Sequence, residues 1–456
     1  EYMTYEKGKP VIYARLSKAL YGQLESAKLF YDKFRKQIEE WGFAINPYDP
    51  CVANRLIEDT QCTVVWHVDD LKVSHKSETV VKLIYGMIDA EFGQEVVMGE
   101  KAAVTVTWGK VHDYLGMTLS YEREGCLEIT MFDYVDAMVN EAPEDMAGTS
   151  ATPAANHLFD VDEQAVKLDQ DAADQFHHIT AKLLFLCKRA RPDIQTAVAF
   201  LCTRVKGPDQ DDYKKLARVI KYLRGTPDMT LTIRMSPDQV AHWSVDASYA
   251  VHADMRGHNG TTLLMGEGAI YCSSAKQKLN TKSSTESELV AVSDAMPQIV
   301  WTRYFMHEQG WTLNDCVVYQ DNKSAILLEE NGRLSSGRRT RHINIRYFFV
   351  TDRIARGELR VQYCPTAEMI SDFFTKPLQG AQFRKLRCRI MNDDKYGPDD
   401  TTEADHRGVL NVRTTGASAP DGEPEQQEPA MRRKISEMTK WPNGNNDGSR
   451  RQIGVE

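Results

Sequence analysis

The chain has 456 residues, 42% hydrophobic and 27% charged, a soluble-globular composition too long for one core, so two or three domains are expected. No apolar run approaches the ~20 residues of a bilayer span, and EYMTYEKGKP has no Met, basic n-region or apolar h-region. No membrane partner and no signal peptide are therefore expected, and the frame is expected to extend upstream of Glu1. The net charge of −9 argues against a general nucleic-acid binder, because phosphate contact needs clustered Lys and Arg, although only the local face decides.

In chain order, Ser17–Trp41 carries apolar residues on roughly one helical face (Leu20, Leu24, Ala27, Leu29, Phe30, Phe34, Ile38) and Gly42 stops it. Cys51–Ile57 and Cys62–Val73 read as strands, the second broken by Asp69-Asp70 into strand–turn–strand. Gly93 to Lys110 reads as loop, and Tyr114–Tyr121 with Cys126–Thr130 as a hairpin turning at Glu124-Gly125. From Tyr134 to Leu223 the pattern is helical, interrupted by Pro143, Pro153 and Pro192, before a short strand at Leu231–Ile233. Strands near Trp243–Asp246 and Thr261–Ser273 then precede a long helix, Thr285–Gln309. A strand (Val317–Gln320), helices (Lys323–Glu330, Asn344–Ala355), a strand (Leu359–Tyr363) and a helix from Ala367 follow. Strands first and β/α alternation afterwards make an α/β layout. Beyond Asn392 the chain is rich in Gly, Pro, Asp and Glu, the composition of a disordered tail.

Nine cysteines stand alone, with no CxxC and no His at zinc spacing, so reduced intracellular thiols are expected. His177-His178 is read as a solvated helix face for want of ligand partners. Arg333, Arg338, Arg339, Arg341 and Arg346 form a local basic cluster whose plain reading is a solvated loop.

Four carboxylates are placed where a fold can gather them: Asp246 within a strand, Glu288 in the first turn of the long helix, Asp321 at a strand end and Asp372 early in the last helix. Cutting a phosphodiester with two divalent ions roughly 4 Å apart needs several converging carboxylates. Each also has a plain structural role open to it. Glu288 could box with Thr285, although Ser283 and Glu286 form an equally good box. Asp321-Asn322 could cap the next helix, and Asp372 could serve the helix dipole. A lone Asp69-Asp70 is ordinarily just a turn.

Taken together, SVDASYAV, SSAKQKLNTKSSTESELVAVSDA, YQDNKSAILL, RRTRHINIRY and DFFTKPL resemble, in order, the RNase H domain of copia-type LTR-retrotransposon pol polyproteins. CTVVWHVDDLKVSH, with LSKALYGQLESAKLFYDKF, GFAINPYDPCV and YLGMTL, resembles the same family's reverse transcriptase, with His67 where the family usually has Tyr. RARPDIQTAVAFLCTRV and VIKYLRGTPDMTL resemble the segment linking the two.

The resemblance implies a partial palm over 1–130, a mostly helical thumb or connection over 131–235, an RNase H-like mixed sheet flanked by helices over 236–392, and a disordered tail over 393–456. It implies Mg²⁺ or Mn²⁺ on Asp246, Glu288, Asp321 and Asp372, and polymerase metal ligands at Asp69 and Asp70. His342 would help product leave or move a proton; the family often has a second His where this chain has Phe348. Arg341, Lys276 and Arg338 would contact nucleic acid. The implied activity is hydrolysis of the RNA strand of RNA–DNA hybrids. The polymerase centre would lack its first Asp and the fingers, and so be inactive in this chain alone. Implied partners are the hybrid, template RNA and DNA, and the rest of the polyprotein, inside the cell in a virus-like particle or the nucleus. The alternatives are an inactive remnant, or a nucleic-acid-binding or interaction module.

Overall fold

The computed structural model describes residues 3–12, 23–93, 96–97, 100–101, 104–332 and 344–396. Contacts divide the chain into Glu1–Val409 and Leu410–Glu456, the second wholly outside the described residues. Arg338, Arg341, His342 and nearly all of the expected tail also lie outside them.

The first part opens on a hairpin, β1 (Met3–Glu6) and β2 (Lys9–Ile12), followed by helix α1 (Leu24–Glu40). A four-stranded sheet follows in the order β3 (Ala44–Asn46), β4 (Asp49–Ile57), β5 (Thr60–His67) and β6 (Asp70–Ser74). Helix α2 (Glu78–Phe92) comes next, then the short pair β7 (Val96–Val97) and β8 (Glu100–Lys101). Cys62, Val64 and Trp66 alternate along β5 and bury against Phe34 and Ile38 of α1 and Val80, Ile84 and Ile88 of α2, the period-2 and period-4 patterns meeting in one core. The sequence pattern does not single out α2, because apolar residues (Val81, Leu83, Tyr85, Met87) spread well beyond the Val80, Ile84, Ile88 stripe.

Strands β9 (Val111–Tyr114), β10 (Met117–Ser120) and β11 (Cys126–Thr130) form antiparallel pairs. Helices α3 (Phe132–Glu141), α4 (Gln170–Cys187), α5 (Gln195–Cys202) and α6 (Gln210–Gly225) follow, then strand β12 (Leu231–Met235), which pairs with β11. The RARPD stretch is structural: Arg191 Nε and Nη2 donate to the two Asp193 oxygens at 2.9 and 2.8 Å, both side chains fully buried. Tyr222 adds a third bond to Asp193 at 2.7 Å. A buried pair persists only when its remaining polar atoms are met in this way.

The last part holds β13 (Val240–Ser248), β14 (His258–Leu264), β15 (Gly266–Glu267), β16 (Ala269–Lys276), α7 (Ser284–Glu308), β17 (Asp315–Gln320), α8 (Lys323–Asn331), α9 (Asn344–Ala355) and β18 (Arg360–Tyr363). Its five-stranded mixed sheet has the order β16-β14-β13-β17-β18, with β13–β17 and β17–β18 parallel and the other pairs antiparallel. Two helices close the part, a single turn α10 (Asp372–Thr375) and α11 (Gly380–Met391). The sequence reading ran these together. Pro377 separates them by forcing Lys376 into extended backbone (φ −130°, ψ 138°).

Strand β13 sorts its residues by parity. Ala241, Trp243, Val245 and Ala247 join Ala291, Val292, Ala295 and Ile299 of α7 in one apolar core. Ser244, Asp246 and Ser248 point the other way, toward the segment carrying α10. A separate core runs across residue 235: Ile194, Ala197, Phe200 and Leu201 pack with Leu264, Ala269, Phe373, Phe374, Phe383 and Leu386. The helical segment and the segment from Phe373 to Met391 thus share one core.

Candidate metal centre

Asp246, Asp321 and Asp372 each offer a carboxylate oxygen, and these atoms lie within 4.8 Å of one another. Among the described residues no other set of three or more His, Cys, Asp or Glu converges so closely. Three elements deliver them: central strand β13, the end of β17 and the first position of α10. The capping roles fall elsewhere. Asn322 is the N-cap of α8 and accepts from the Ser324 and Ala325 amides, which leaves Asp321 free of that duty. Ser283 caps α7 through the Glu286 amide, which frees Glu288.

Asp246 and Asp372 are nearly inaccessible, at 2% and 5% exposure. Burial pushes the Asp246 carboxyl up and Asp321 adds to the rise, against Lys376 and the Thr375 hydroxyl. Burial, then Asp246, raises Asp372 to about 7. Glu288 stands outside the tight triad, yet burial followed by Asp246 and Asp321 lifts it well above its ordinary value; Gln320 Nε2 donates to its Oε2 at 3.3 Å. Burial first, and the neighbouring acids second, therefore raise the pKa values of Asp246, Glu288 and Asp372.

Compensation within the protein is partial. Lys376 Nζ donates to Asp372 Oδ1 at 2.6 Å and lies 3.7 Å from Asp246 Oδ2. Burial works against the charge on Lys376, but Asp246 and Asp372 raise its pKa overall. Thr375 Oγ1 donates to Asp246 Oδ2, and Thr366 Oγ1 to Asp321 Oδ2 at 2.8 Å. One ammonium against this many carboxylates leaves a deficit that a hard divalent cation with oxygen ligands would fill, so the donor set fits Mg²⁺ or Mn²⁺. Thr375, Lys376, Gln320 and Thr366 were missed as site residues. Only Lys376 left a usable signal, four residues after Asp372 and so one helical turn away.

The other expected residues are dispersed. Asp69 lies in the β5–β6 turn, where Val68 has φ +56°, and Asp70 opens β6 opposite His67. Both are exposed, and neither belongs to a ligand cluster among the described residues. Lys276 is occupied by Asp254 at 2.8 Å. Phe348 packs against Leu289, Ala325 and Leu328. All nine cysteines are free thiols, and no described helix is long and apolar enough to cross a membrane.

A mixed α+β protein with a buried carboxylate cluster at the centre of its sheet is a candidate divalent-metal protein. No family model matches the chain. Its curated relatives over 82% of its length are copia-type retrotransposon Pol and Gag-Pol polyproteins. It is 25% identical over 383 residues to the Pol polyprotein from transposon TNT 1-94 of Nicotiana tabacum, covering 82% of this chain and 28% of that protein. Identity to the RE2 Pol polyprotein of Arabidopsis thaliana is 26%, with coverages of 84% and 25%. Identity to the Ty1-MR1 Gag-Pol polyprotein of Saccharomyces cerevisiae is 23%, with coverages of 82% and 21%. The chain thus spans a quarter or so of the length of these relatives. Among solved structures, an RNase H domain from Mycobacterium tuberculosis matches at TM-score 0.22 and 9% identity, covering 30% of this chain and 90% of that one. A Prototype Foamy Virus protease-reverse transcriptase matches at TM-score 0.22 and 15% identity, covering 84% and 42%.

Proposed function

We propose that residues 236–392 form an RNase H-type nuclease that hydrolyses the RNA strand of an RNA–DNA hybrid. The convergence of Asp246, Asp321 and Asp372 from three elements, with Glu288 in their field, carries this reading. The order of the mixed sheet and the Pol polyprotein relatives support it. Asp246, Asp321, Asp372 and Glu288 would hold a pair of Mg²⁺ or Mn²⁺ ions. Bound there, the ions would sharpen an attacking water and neutralise the leaving oxygen.

The chain's own residues prepare this chemistry. The Thr375 hydroxyl and Lys376 ammonium orient Asp246 and Asp372, and burial of both keeps bulk water from competing for their oxygens. His342, Arg338 and Arg341 are proposed to act on the scissile strand and its phosphates, with Lys276 contributing once released from Asp254. The reading extends to residues 1–130 as a palm-type region bearing Asp69 and Asp70, to 131–235 as a connection and to 393–456 as a tail, in an intracellular polyprotein that handles template RNA and DNA. RNA-directed DNA synthesis is not assigned to this chain, since two-ion polymerase chemistry needs carboxylates on separate strands and none joins Asp69 and Asp70 in a cluster among the described residues.

Incubation with Mg²⁺ and a hybrid labelled on its RNA strand tests the proposal. Cleavage of the RNA strand alone, lost in Asp246→Asn, is expected. Absence of metal-dependent cleavage, or equal cleavage by Asp246→Asn, overturns it and favours a remnant that binds hybrid without cutting.

A further inference from the structure

The single turn α10 carries Asp372, and every carbonyl from Met369 to Thr375 has a donor. Met369 O, Ile370 O, Ser371 O and Asp372 O accept from backbone amides three or four residues on, those of Asp372, Phe373, Phe374 and Lys376. The next three carbonyls have no helix beyond them to supply donors, the usual condition of a helix C-terminus. Each is met instead by one hydroxyl. Thr196 Oγ1 donates to Phe373 O at 2.7 Å, Ser274 Oγ to Phe374 O at 2.7 Å and Ser248 Oγ to Thr375 O at 3.0 Å. All three hydroxyl residues are buried. The turn also lies directly on the sheet: a Cβ at Gly260 of β14 would meet Ser371 O at 2.6 Å.

Ser248 and Ser274 belong to strands β13 and β16 of the same sheet as Asp246. Thr196 does not; it comes from α5, in the helical segment that precedes the sheet. Next to it, Gln195 Nε2 donates to Cys272 O of β16 at 3.2 Å, so α5 is tied to the sheet as well as to the turn. Phe373 and Phe374, flanking the captured carbonyls, pack in the core that α5 helps to build.

We infer that Thr196 is a positioning residue for the metal centre, through which the helical segment sets the place of Asp372. The inference rests on the metal-centre reading above. A buried carbonyl must find a donor, so Thr196 defines one position of the turn among those its length would allow. That position sets Asp372 and Thr375 together against Asp246. The ligand geometry of the sheet is then completed from outside the sheet, by one hydroxyl. Residues that orient ligands in this way ordinarily govern affinity about tenfold or more.

The test titrates the full chain with Mn²⁺, following free ion by electron paramagnetic resonance and the fold by thermal melting. Thr196→Val, which keeps the shape and removes the donor, is expected to weaken Mn²⁺ binding about tenfold, and Thr196→Ser to restore it. Thr180→Val is the control, because the Thr180 hydroxyl is also buried and has no partner among the described residues; its Mn²⁺ affinity is expected to match wild type. A merely structural Thr196 would lower the melting temperature and leave Mn²⁺ affinity where it was, and that result overturns the inference. Equal weakening by Thr180→Val also overturns it. A wild-type chain that takes up no Mn²⁺ overturns the metal-centre reading itself, before any variant is measured.

Discussion

Two sets of aspartates in this chain behave as opposites. Asp69 and Asp70 are adjacent in sequence, on an exposed turn between β5 and β6. Asp246, Asp321 and Asp372 are far apart in sequence, yet their oxygens lie within 4.8 Å of one another. Neighbouring residues of an extended chain send their side chains to opposite faces, so adjacency by itself does not build a multidentate site. Convergence does, and it requires a protein interior to hold the like charges together. Water disperses the repulsion at the turn; burial concentrates it at the sheet.

The largest expected effect separates the two places directly. Asp246→Asn or Asp321→Asn should reduce hybrid cleavage by ~10²-fold or more, the several kcal/mol of transition-state stabilisation that bound metal supplies. Asp69→Asn and Asp70→Asn should leave cleavage unchanged. Single-turnover assays of the four variants decide; an equal loss in both pairs would erase the distinction.

Next in size is metal-linked stability. Mn²⁺ at a hundredfold excess over its Kd should stabilise the fold by about 2.7 kcal/mol by mass action. The shift should survive Asp69→Asn and vanish in Asp372→Asn, read as the change in melting temperature with and without the ion.

A third carboxylate sharpens the point about burial. Glu329, in α8, is fully buried, and neither side-chain oxygen has a hydrogen-bond partner among the described residues. Burial, with Glu330 adding to it, raises its pKa to about 8 from an ordinary 4.5. The folded state holds this proton more tightly than the unfolded state, so the stability it lends is full below pH 4.5 and drains away as pH rises toward 8. Denaturant melts over that window should show a fall approaching about 1.4 kcal/mol per pH unit from this group. Glu329→Gln should flatten that part of the profile, and an unchanged slope would show the group ionises at no cost. Unlike the triad, Glu329 belongs to no ligand cluster among the described residues.

The smallest effect belongs to the turn. With both side chains exposed, Asp69→Asn should change stability by no more than about 0.5 kcal/mol, the usual range for surface substitutions. A larger loss would reveal a structural role for the turn.

Much of the scaffold was legible from residue pattern. The strand–turn–strand at Asp69-Asp70, the hairpin at Glu124-Gly125 and the long helix from the Ser283 cap all emerge where spacing and turn residues predict them. Helix α2 escaped because its apolar residues spread well beyond one face, and α10 looks continuous with α11 until Pro377 fixes Lys376 in extended backbone. At the site, residue type and order singled out Asp246, Glu288, Asp321 and Asp372. They could not divide these into a tight triad and a more distant Glu288, nor indicate that Lys276 would be held by Asp254.

What the sequence determined by itself is local: which segments are helix or strand, and which face of each is apolar. These follow from short-range sterics and the periods of helix and strand. Only the tertiary structure decided that Ser244, Asp246 and Ser248 face a turn three hydroxyls hold in place, and that one of those hydroxyls, on Thr196, arrives from another part of the chain. Such contacts depend on which surfaces meet when the cores close, and no spacing along a single strand of text encodes that.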